Sequence, residues 1–566
     1  MGLVIGRSAP RNASARQDVQ PEGTHTVRFI DVDGTILKTQ YVADGGTATP
    51  PANPSREKCT FVKWLNAYSN ITKDTEVFAL YKSADGNSWY RVKANANDVM
   101  RLGVKNNTSN ITTIDWGDGT AHTYSSQSIN YLQHRYNSDF DGWVKVSSQN
   151  EASHSLAMPL QGCGIITEMI IGDNVNVLSS FARNCTNLSV VVIPETVSRI
   201  DGDAFAKCLS IMSIALPDGV VITLTNSTPY MVNLRHFRIP ADLTNFNICI
   251  GGSIFIKRIT FPPGLVKIAD SAFVKNVNLL AADLPQENAV DVGTSAFLDC
   301  HSLKRASIPH STVVKANVFQ NCYSLQECRL DDEVTTIKQN AFNSCFSLKA
   351  INISDNVTTI ENYAFQNCAS LGEVNLAGVT SIGAGAFHNC LNAKFTISQI
   401  AQIPPKINMF YNCPNLTGDL RLETEQEIPY GAFAYTGIST LYSNTLRITR
   451  AAQEGAFSNC VALARVELPN VTEIYSQAFL GCSALALAII GGDVTNIGFA
   501  VFKGCISLER LVVKAATPPT LAYDALQGCT ALSAIYVPDA SVEVYKTATN
   551  WAAKADIIKP LSEFVE

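Results

Sequence analysis

The chain has 566 residues, 43 Lys+Arg against 49 Asp+Glu, and a formal charge of −6; 46% of its residues are hydrophobic and only 16% are charged. That much apolar material excludes a wholly disordered chain, and the slightly acidic balance argues against a protein built to neutralise nucleic-acid phosphates. No run approaches the roughly 18 apolar residues of a membrane-spanning helix, so no membrane insertion is expected.

Residues 1–23 are polar and carry Arg7, Arg11 and Arg16, with Leu3–Ile5 as their longest apolar run. A secretory signal needs some 7–15 apolar residues. The stretch therefore reads as a flexible or docking arm, and the expectation is a chain made and folded inside a cell. No lipidation motif or anchor is legible either.

Residues 24–83 read as strands around turns. In VRFIDVDGTILKTQ, Asp33-Gly34 lies between two β-rich runs, a hairpin signal because both residues tolerate positive φ. The segment resembles the B repeats of listerial internalins in DGT at 33–35, Pro51, Pro54, Phe61, Trp64, Ile71 and Tyr81. That resemblance implies a β-grasp-like domain. FIDVDGTIL also fits the D-x-D-G-T signature of haloacid-dehalogenase-type phosphatases, which would make Asp31 the nucleophile and Asp33 the general acid/base, with Mg²⁺ on the carboxylates. That chemistry needs a strand–loop–helix context, whereas Gly- and Pro-rich β sequence follows. The hairpin is preferred and the phosphatase is the remote alternative.

Within 93–155, IDWGDGT (114–120), HRY (134–136) and GWVKV (142–146) resemble the polycystic-kidney-disease-type (PKD) β-sandwich, although here the Trp directly precedes GDG. Asp115, Asp118, Asp139 and Asp141 are oxygen donors of the kind that gather Ca²⁺, but such turns ordinarily just close loops. No metal site is assigned.

From residue 165 the sequence repeats. Phe273, Phe297, Phe319, Phe342, Phe365, Phe387, Phe410, Phe433, Phe457, Phe479 and Phe502 follow one another at 22 to 24 residues. Phe181 and Phe205 continue the series upstream. Two degenerate coils, marked by Thr228, Met231, Leu234, Ile239 and by Ile250, Ser253, Ile256, Phe261, fill the gap, and Leu526 closes the series. About sixteen coils of ~23 residues result, a period that means a solenoid. In AFNSCFSLKAINI (341–353), Phe342, Cys345, Leu348, Ile351 and Ile353 point inward; Phe365, Cys368 and Leu371 repeat the set. Twelve of the 16 cysteines occupy this motif. Stacked coils hold their Cβ vectors parallel, which disfavours a disulfide. Met231, Ser253, Asn276 and Thr436 also stand at the position, which argues against a metal framework. The thiols read as small, buried, reduced core residues suited to a reducing cytoplasm.

The pattern I-x-x-x-AF-x-x-C-x-x-L-x-x-h-x-L resembles the BspA-like leucine-rich repeats of bacterial surface proteins over about 165–566. This implies an α/β solenoid over 165–538, preceded by two small all-β domains, β-grasp-like and sandwich. It also implies a role in adhesion and recognition, with no catalytic residues to carry over. Residues 539–566 resemble the family's C-terminal cap, in which Tyr545, Trp551, Ile557 and Ile558 seal the open end.

Eight scattered histidines show no metal-ligand spacing, and GxSxG, HExxH and Walker motifs do not occur. The expectation is a non-enzyme without cofactor. If strand side chains project together, Arg235, His236, Arg238, Lys257, Arg258, Lys304, Arg305, Arg329 and Lys349 form a basic stripe for an anionic ligand or an acidic subunit. The plain alternative is an ordinary solvated face. The preferred function is recognition: a bacteriophage virion appendage or decoration protein, docked on other virion subunits through its arm and presenting the solenoid to protein or glycan ligands on host cells or mucus. The alternative is a bacterial surface adhesin exported without a recognisable signal.

Overall fold

A computed structural model describes residues 20–105, 111–125, 130–148, 154–157, 163–179, 182–201, 204–223, 231–423, 427–445, 447–448 and 455–566. Residues 1–19 of the expected arm, Phe181 and Thr228 lie outside the described residues.

Four strands form the first sheet: β1 (Thr24–Ile30), β2 (Ile36–Ala43), β3 (Cys59–Leu65) and β4 (Thr75–Ser83), in the order β2-β1-β4-β3. β1 and β2 are an antiparallel hairpin, β1 and β4 run parallel, and β3 returns antiparallel to β4. The Asp33-Gly34 turn is the hairpin the sequence indicates. Asp31 N–H donates to Thr35 O, Gly34 N–H donates to Asp31 O, and Gly34 adopts φ +88°. The DVDGT carboxylates thus sit on a strand–turn–strand element. Asp31 and Asp33 both face the Arg56 guanidinium, at 3.8 and 3.4 Å.

The next strands do not close on themselves as a separate sandwich. Ser88–Ala94 and Phe140–Ser148 pair antiparallel, but Ser88–Ala94 also pairs with Ile166–Ile170, which then runs parallel to Val190–Val192. Likewise Val99–Lys105 pairs with His154–Ala157, and parallel strands continue through Val175–Ser179, Arg199–Asp201 and Val221–Thr223. One hydrophobic core runs from Tyr90 to Ile558. The expected boundary near residue 160 is therefore a continuation: the open end of a stacked array needs a cover, and the strands of 88–148 supply it. Trp116, fully buried, fills this cover and stacks on His134 at 4.7 Å.

Beyond it the chain is a β-solenoid of about 16 turns. Most coils contribute two short parallel segments; after Lys394–Phe395 the short helix Ile397–Ile400 takes the place of the second. One ladder contains Arg305–Ile308, Glu327–Leu330 and Ala350–Ile351, and the other Val313–Val314, Thr336–Ile337 and Thr359–Ile360. Phe342, Cys345, Leu348, Phe365, Cys368 and Leu371 are all buried, as their period requires. Phe342, Phe365 and Phe387 stack nearly parallel with centroids 5.3 Å apart. Burying each such ring contributes roughly 1.5–3 kcal/mol.

The α/β expectation is corrected: only 5% of the chain is helical. The Ala-Phe segment opposite the strands is a run of turns, because most of the described coils place residues in the left-handed region on either side of the Phe. Asn340 has φ +55° and Ser344 φ +61°; Asn367, Asn389, Asn412 and Asn459 repeat the second position. A left-handed residue ends a helix within a turn, and asparagine adopts that conformation at low cost.

The cysteines do more than fill space. From Cys300 to Cys529 each motif thiol donates to the carbonyl oxygen of the preceding coil's phenylalanine equivalent at 3.0–3.2 Å. Ser253 and Thr436 substitute with hydroxyls that also donate to carbonyls, those of Leu234 and Phe433. At the C-terminal end Tyr545 and Trp551 meet edge-to-face at 5.1 Å, and their polar atoms donate to Ala515 O and Pro519 O. They close the core as expected. Ile558–Pro560 then adds a last parallel strand to Ala534–Val537. Among the described residues, no helix is long and apolar enough to cross a membrane.

Candidate functional site

A solenoid strand alternates between core and exterior, so its outward residues decide what the face can do. In the first coils those residues are apolar. Val190, Val191 and Val192 are buried on both faces, because the outer face is covered by the four-stranded sheet. Val32, Ala79 and Tyr81 pack on Ile170, Val190 and Val192, and Ile30, Leu65, Phe78 and Leu80 pack around Ala215.

Polar clamps hold this cover. Lys63 pairs with Glu195 at 2.5 Å, Arg56 with Glu168 at 2.9 Å, and His236 Nδ1 with Glu76 at 2.8 Å. Burial tends to raise the Asp33 carboxyl beside Arg56, but hydrogen bonds from Thr35 and the guanidinium outweigh it and hold the group below its ordinary value. At the far end the tail folds back over the same face. Tyr536, Leu561 and Phe564 cover Leu487, Ile489 and Val512; Arg510 donates to Val565 O at 2.9 Å, and Arg465 contacts Glu566.

Between the two covers the strand face is open from Arg258–Thr260 to Lys394–Phe395. Here the nine expected cations separate into groups. Arg238 is not on the open face: only 3% exposed, it donates to Asn66 Oδ1 at 2.9 Å, to Asp218 Oδ1 at 2.6 Å and to Leu216 O. It clamps the first sheet, as does His236. Arg235 is exposed and lies over the Phe255 ring at 4.5 Å.

Arg258 and Arg305 share one register column, with Ala281 between them. Each meets a carboxylate of the neighbouring coil, Asp283 at 3.5 Å and Glu327 at 3.3 Å. Arg329 is exposed opposite Ser307. Lys257, Lys304 and Lys349 are exposed in a different column, joined rung by rung through backbone hydrogen bonds that pass Leu280 and Gln326. The same column continues to Gly372, whose carbonyl accepts from the N–H of exposed Lys394, a residue the sequence reading missed and one in register with Glu373. A uniform basic stripe is thus replaced by a lysine column beside a column of mixed charge.

A second exposed column was also missed. His301, Tyr323 and Phe346, each directly after a motif cysteine, stack with centroids 4.4 and 5.3 Å apart. Tyr323 is 38% and Phe346 45% exposed. Where the first sheet leaves the solenoid, a wedge of about 750 Å³ opens between them, lined by Arg28 and Lys73 on one wall and Arg235, Phe255 and Lys257 on the other. The second ladder carries a depression of about 720 Å³ of mixed polarity around Thr359, Glu361, Ser381 and Lys406.

The candidate calcium residues turn elsewhere. Asp115 accepts from Gly117 N–H, Asp118 from Thr120 and from His134 at 2.7 Å, Asp139 from Ala96 N–H, and Asp141 contacts Arg91. Stacking does unite His310, Asp331 and Glu333, which linear spacing kept apart, with one ligand atom of each within 4.8 Å of the others. This exposed trio already pairs internally, His310 with Asp331 at 3.4 Å.

Comparison with known proteins agrees with this architecture. The family description "BspA type leucine rich repeat region" matches residues 159–279, 230–349, 290–417, 335–452 and 426–551. Among solved structures, a leucine-rich repeat protein from Bacteroides ovatus is 20% identical with a TM-score of 0.45, over 64% of this chain and 90% of that one. A leucine rich cell surface protein from Faecalibacterium prausnitzii is 20% identical with a TM-score of 0.31, over 68% and 91%. An internalin from Listeria monocytogenes is 12% identical with a TM-score of 0.17, over 58% and 88%. No curated protein matches the chain. With the family description covering most of its length, the chain belongs to the BspA-type leucine-rich repeat family.

Proposed function

We propose that this protein is a non-enzymatic recognition protein that binds its partner through the open strand face between the two covers. The observation that carries this reading is the contrast along one face. At both ends, where outward residues are apolar, the chain covers them itself; from Lys257 to Lys394 they are mostly charged or polar, Leu280 being an exception, and bare. Family membership supports adhesion as the class of activity. The 2-1-4-3 strand order supports reading residues 24–83 as a B-repeat-like module, here serving as a clamp on the solenoid. The GDG turn and the Trp116–His134–Tyr136 cluster support a PKD-like ancestry for 88–148.

For its place of work we favour a virion appendage facing host or mucus ligands, with a bacterial surface adhesin as the alternative. The thiol column supports synthesis in a reducing compartment. Retention of the full chain on host cells or mucin, lost on reversing Arg305 and Lys349 to Glu, tests the recognition reading. Mass spectrometry of purified virions against surface shaving of intact cells decides the location. A phosphate-release assay with Mg²⁺ and an Asp31→Asn control tests for phosphatase activity; none is expected.

A further inference from the structure

We propose that the open face binds a linear acidic polysaccharide with a carboxylate on every second sugar, laid along the solenoid axis across the strands. This rests on the recognition reading above and names its ligand class.

The first observation is the alternation. One register column reads Lys257, Leu280, Lys304, Gln326, Lys349, Gly372, each residue's N–H donating to the carbonyl of the one before at 2.8–3.1 Å; Lys394 follows with its N–H on Gly372 O, its Cα shifted into register with Glu373. Charge and neutrality alternate without a break over these six rungs. The four lysines are exposed, and none pairs with a carboxylate among the described residues, whereas Arg258 and Arg305 in the adjacent column meet Asp283 and Glu327. With strands about 4.8 Å apart, the ammonium groups recur every ~10 Å. A pyranose ring in an extended chain advances by about one such rung, so a polymer alternating uronic acid with neutral sugar presents its carboxylates in step with the lysines. An extended acidic peptide advances ~3.3 Å per residue, and its same-side groups, ~7 Å apart, fall out of step.

The second observation is independent of charge. His301, Tyr323 and Phe346 lie three residues before Lys304, Gln326 and Lys349 in the same three coils, at the corner leading into the strand. Two of them expose more than a third of their surface. Stacked face on face, these rings present a row of apolar edges at rung spacing to the C–H groups of successive sugars, a polymer's feature rather than an ion's. Leu280, 39% exposed between two lysines, extends that contact to a neutral ring. At the N-terminal end of the column the wedge adds Arg28, Lys73 and Arg235, a seat with more cations than carboxylates for the end of the chain; of its acids, Glu76 pairs with His236 and Asp74 accepts from Thr26 N–H.

The test uses the full chain and a hyaluronan oligomer (alternating glucuronate and N-acetylglucosamine) long enough to reach from Lys257 to Lys394. Binding is expected, with loss on reducing the carboxyls to alcohols. Lys304→Glu with Lys349→Glu should weaken it about tenfold or more, and Tyr323→Ala with Phe346→Ala should weaken it comparably. Lys503→Glu with Lys546→Glu, the same change of net charge away from the face, should leave it unaltered. All these side chains are at the surface, and unchanged thermal unfolding will confirm that the variants fold. No binding, indifference to the Lys304/Lys349 reversal, or equal affinity for polyglutamate would overturn the proposal, the last assigning the face to an acidic protein. Retention on host cells or mucin that the oligomer fails to compete would overturn the ligand class alone. Loss of all retention would overturn the recognition reading with it.

Discussion

Alkali should dismantle this protein abruptly, because the solenoid core holds most of its thiols in the neutral form; Cys460 differs, burial there being outweighed by hydrogen bonds from Cys482 and Thr436 that lower it. Burial pushes Cys300, Cys322, Cys328, Cys345, Cys368, Cys390 and Cys482 far above the ordinary thiol value, and Cys529, nearer the cap, up to about 11. An unfolded chain releases these protons near pH 9.0. The sign follows. Protonated thiol is the folded form, so its contribution is complete below about pH 9 and is lost as pH rises toward the folded value. Each thiol then costs a little over 1 kcal/mol per pH unit, and the seven together about 10 kcal/mol per pH unit. That is comparable with the entire 5–15 kcal/mol of a typical domain. Circular dichroism under a reductant, titrated upward, should show cooperative collapse near pH 10, with thiolate absorbance appearing in the same transition. Replacing Cys322, Cys345, Cys368 and Cys390 by Ala should lower stability at neutral pH yet make the alkaline limb shallower. Thiolate appearing at pH 9 while the dichroism stays native would refute the reasoning, as would a four-fold variant whose limb is equally steep.

Other perturbations have graded outcomes. Phe365→Ala removes a buried ring stacked on both sides and should cost about 4 kcal/mol in guanidinium unfolding, with hydrogen exchange rising first around Phe342 and Phe387. Arg238→Met removes the hydrogen bonds to Asn66 and to half-exposed Asp218 and should cost about 2 kcal/mol of docking, read as new proteolytic cleavage between Ser83 and Ser88. Phe564→Ala should loosen the tail over Leu487, Ile489 and Val512 and raise binding of a hydrophobic dye, with a stability loss of about 1–2 kcal/mol for this half-buried ring.

The columns of the solenoid were legible in the sequence because burial repeats with the period: Phe342, Cys345, Leu348 and the Tyr545–Trp551 cap sit where their spacing puts them. The helical half was misjudged because Asn367 or Asn389 before a cysteine signals a left-handed turn rather than a helix, a cue in single residues that periodicity overlooks. The open face was half legible. A list of cations cannot show register, so Lys257 and Arg258, adjacent in sequence, end in columns with opposite surroundings. Lys394 was overlooked because Ala393 stands where most coils have Leu. Arg238 was assigned to solvent although Val190–Val192, apolar without alternation, already announced that something covers that end.

The last strand has a consequence for what the molecule cannot become. Parallel stacking has no built-in limit, and an uncapped rung would accept another copy as readily as its own successor. Here the terminal rung, Ile558–Pro560, ends on a proline set against Val537. Proline offers no N–H to a newcomer, and the segment turns away at once into the tail that lies across the outer surface. The same few residues that cover this edge of the ladder therefore disfavour the addition of a further parallel rung to it.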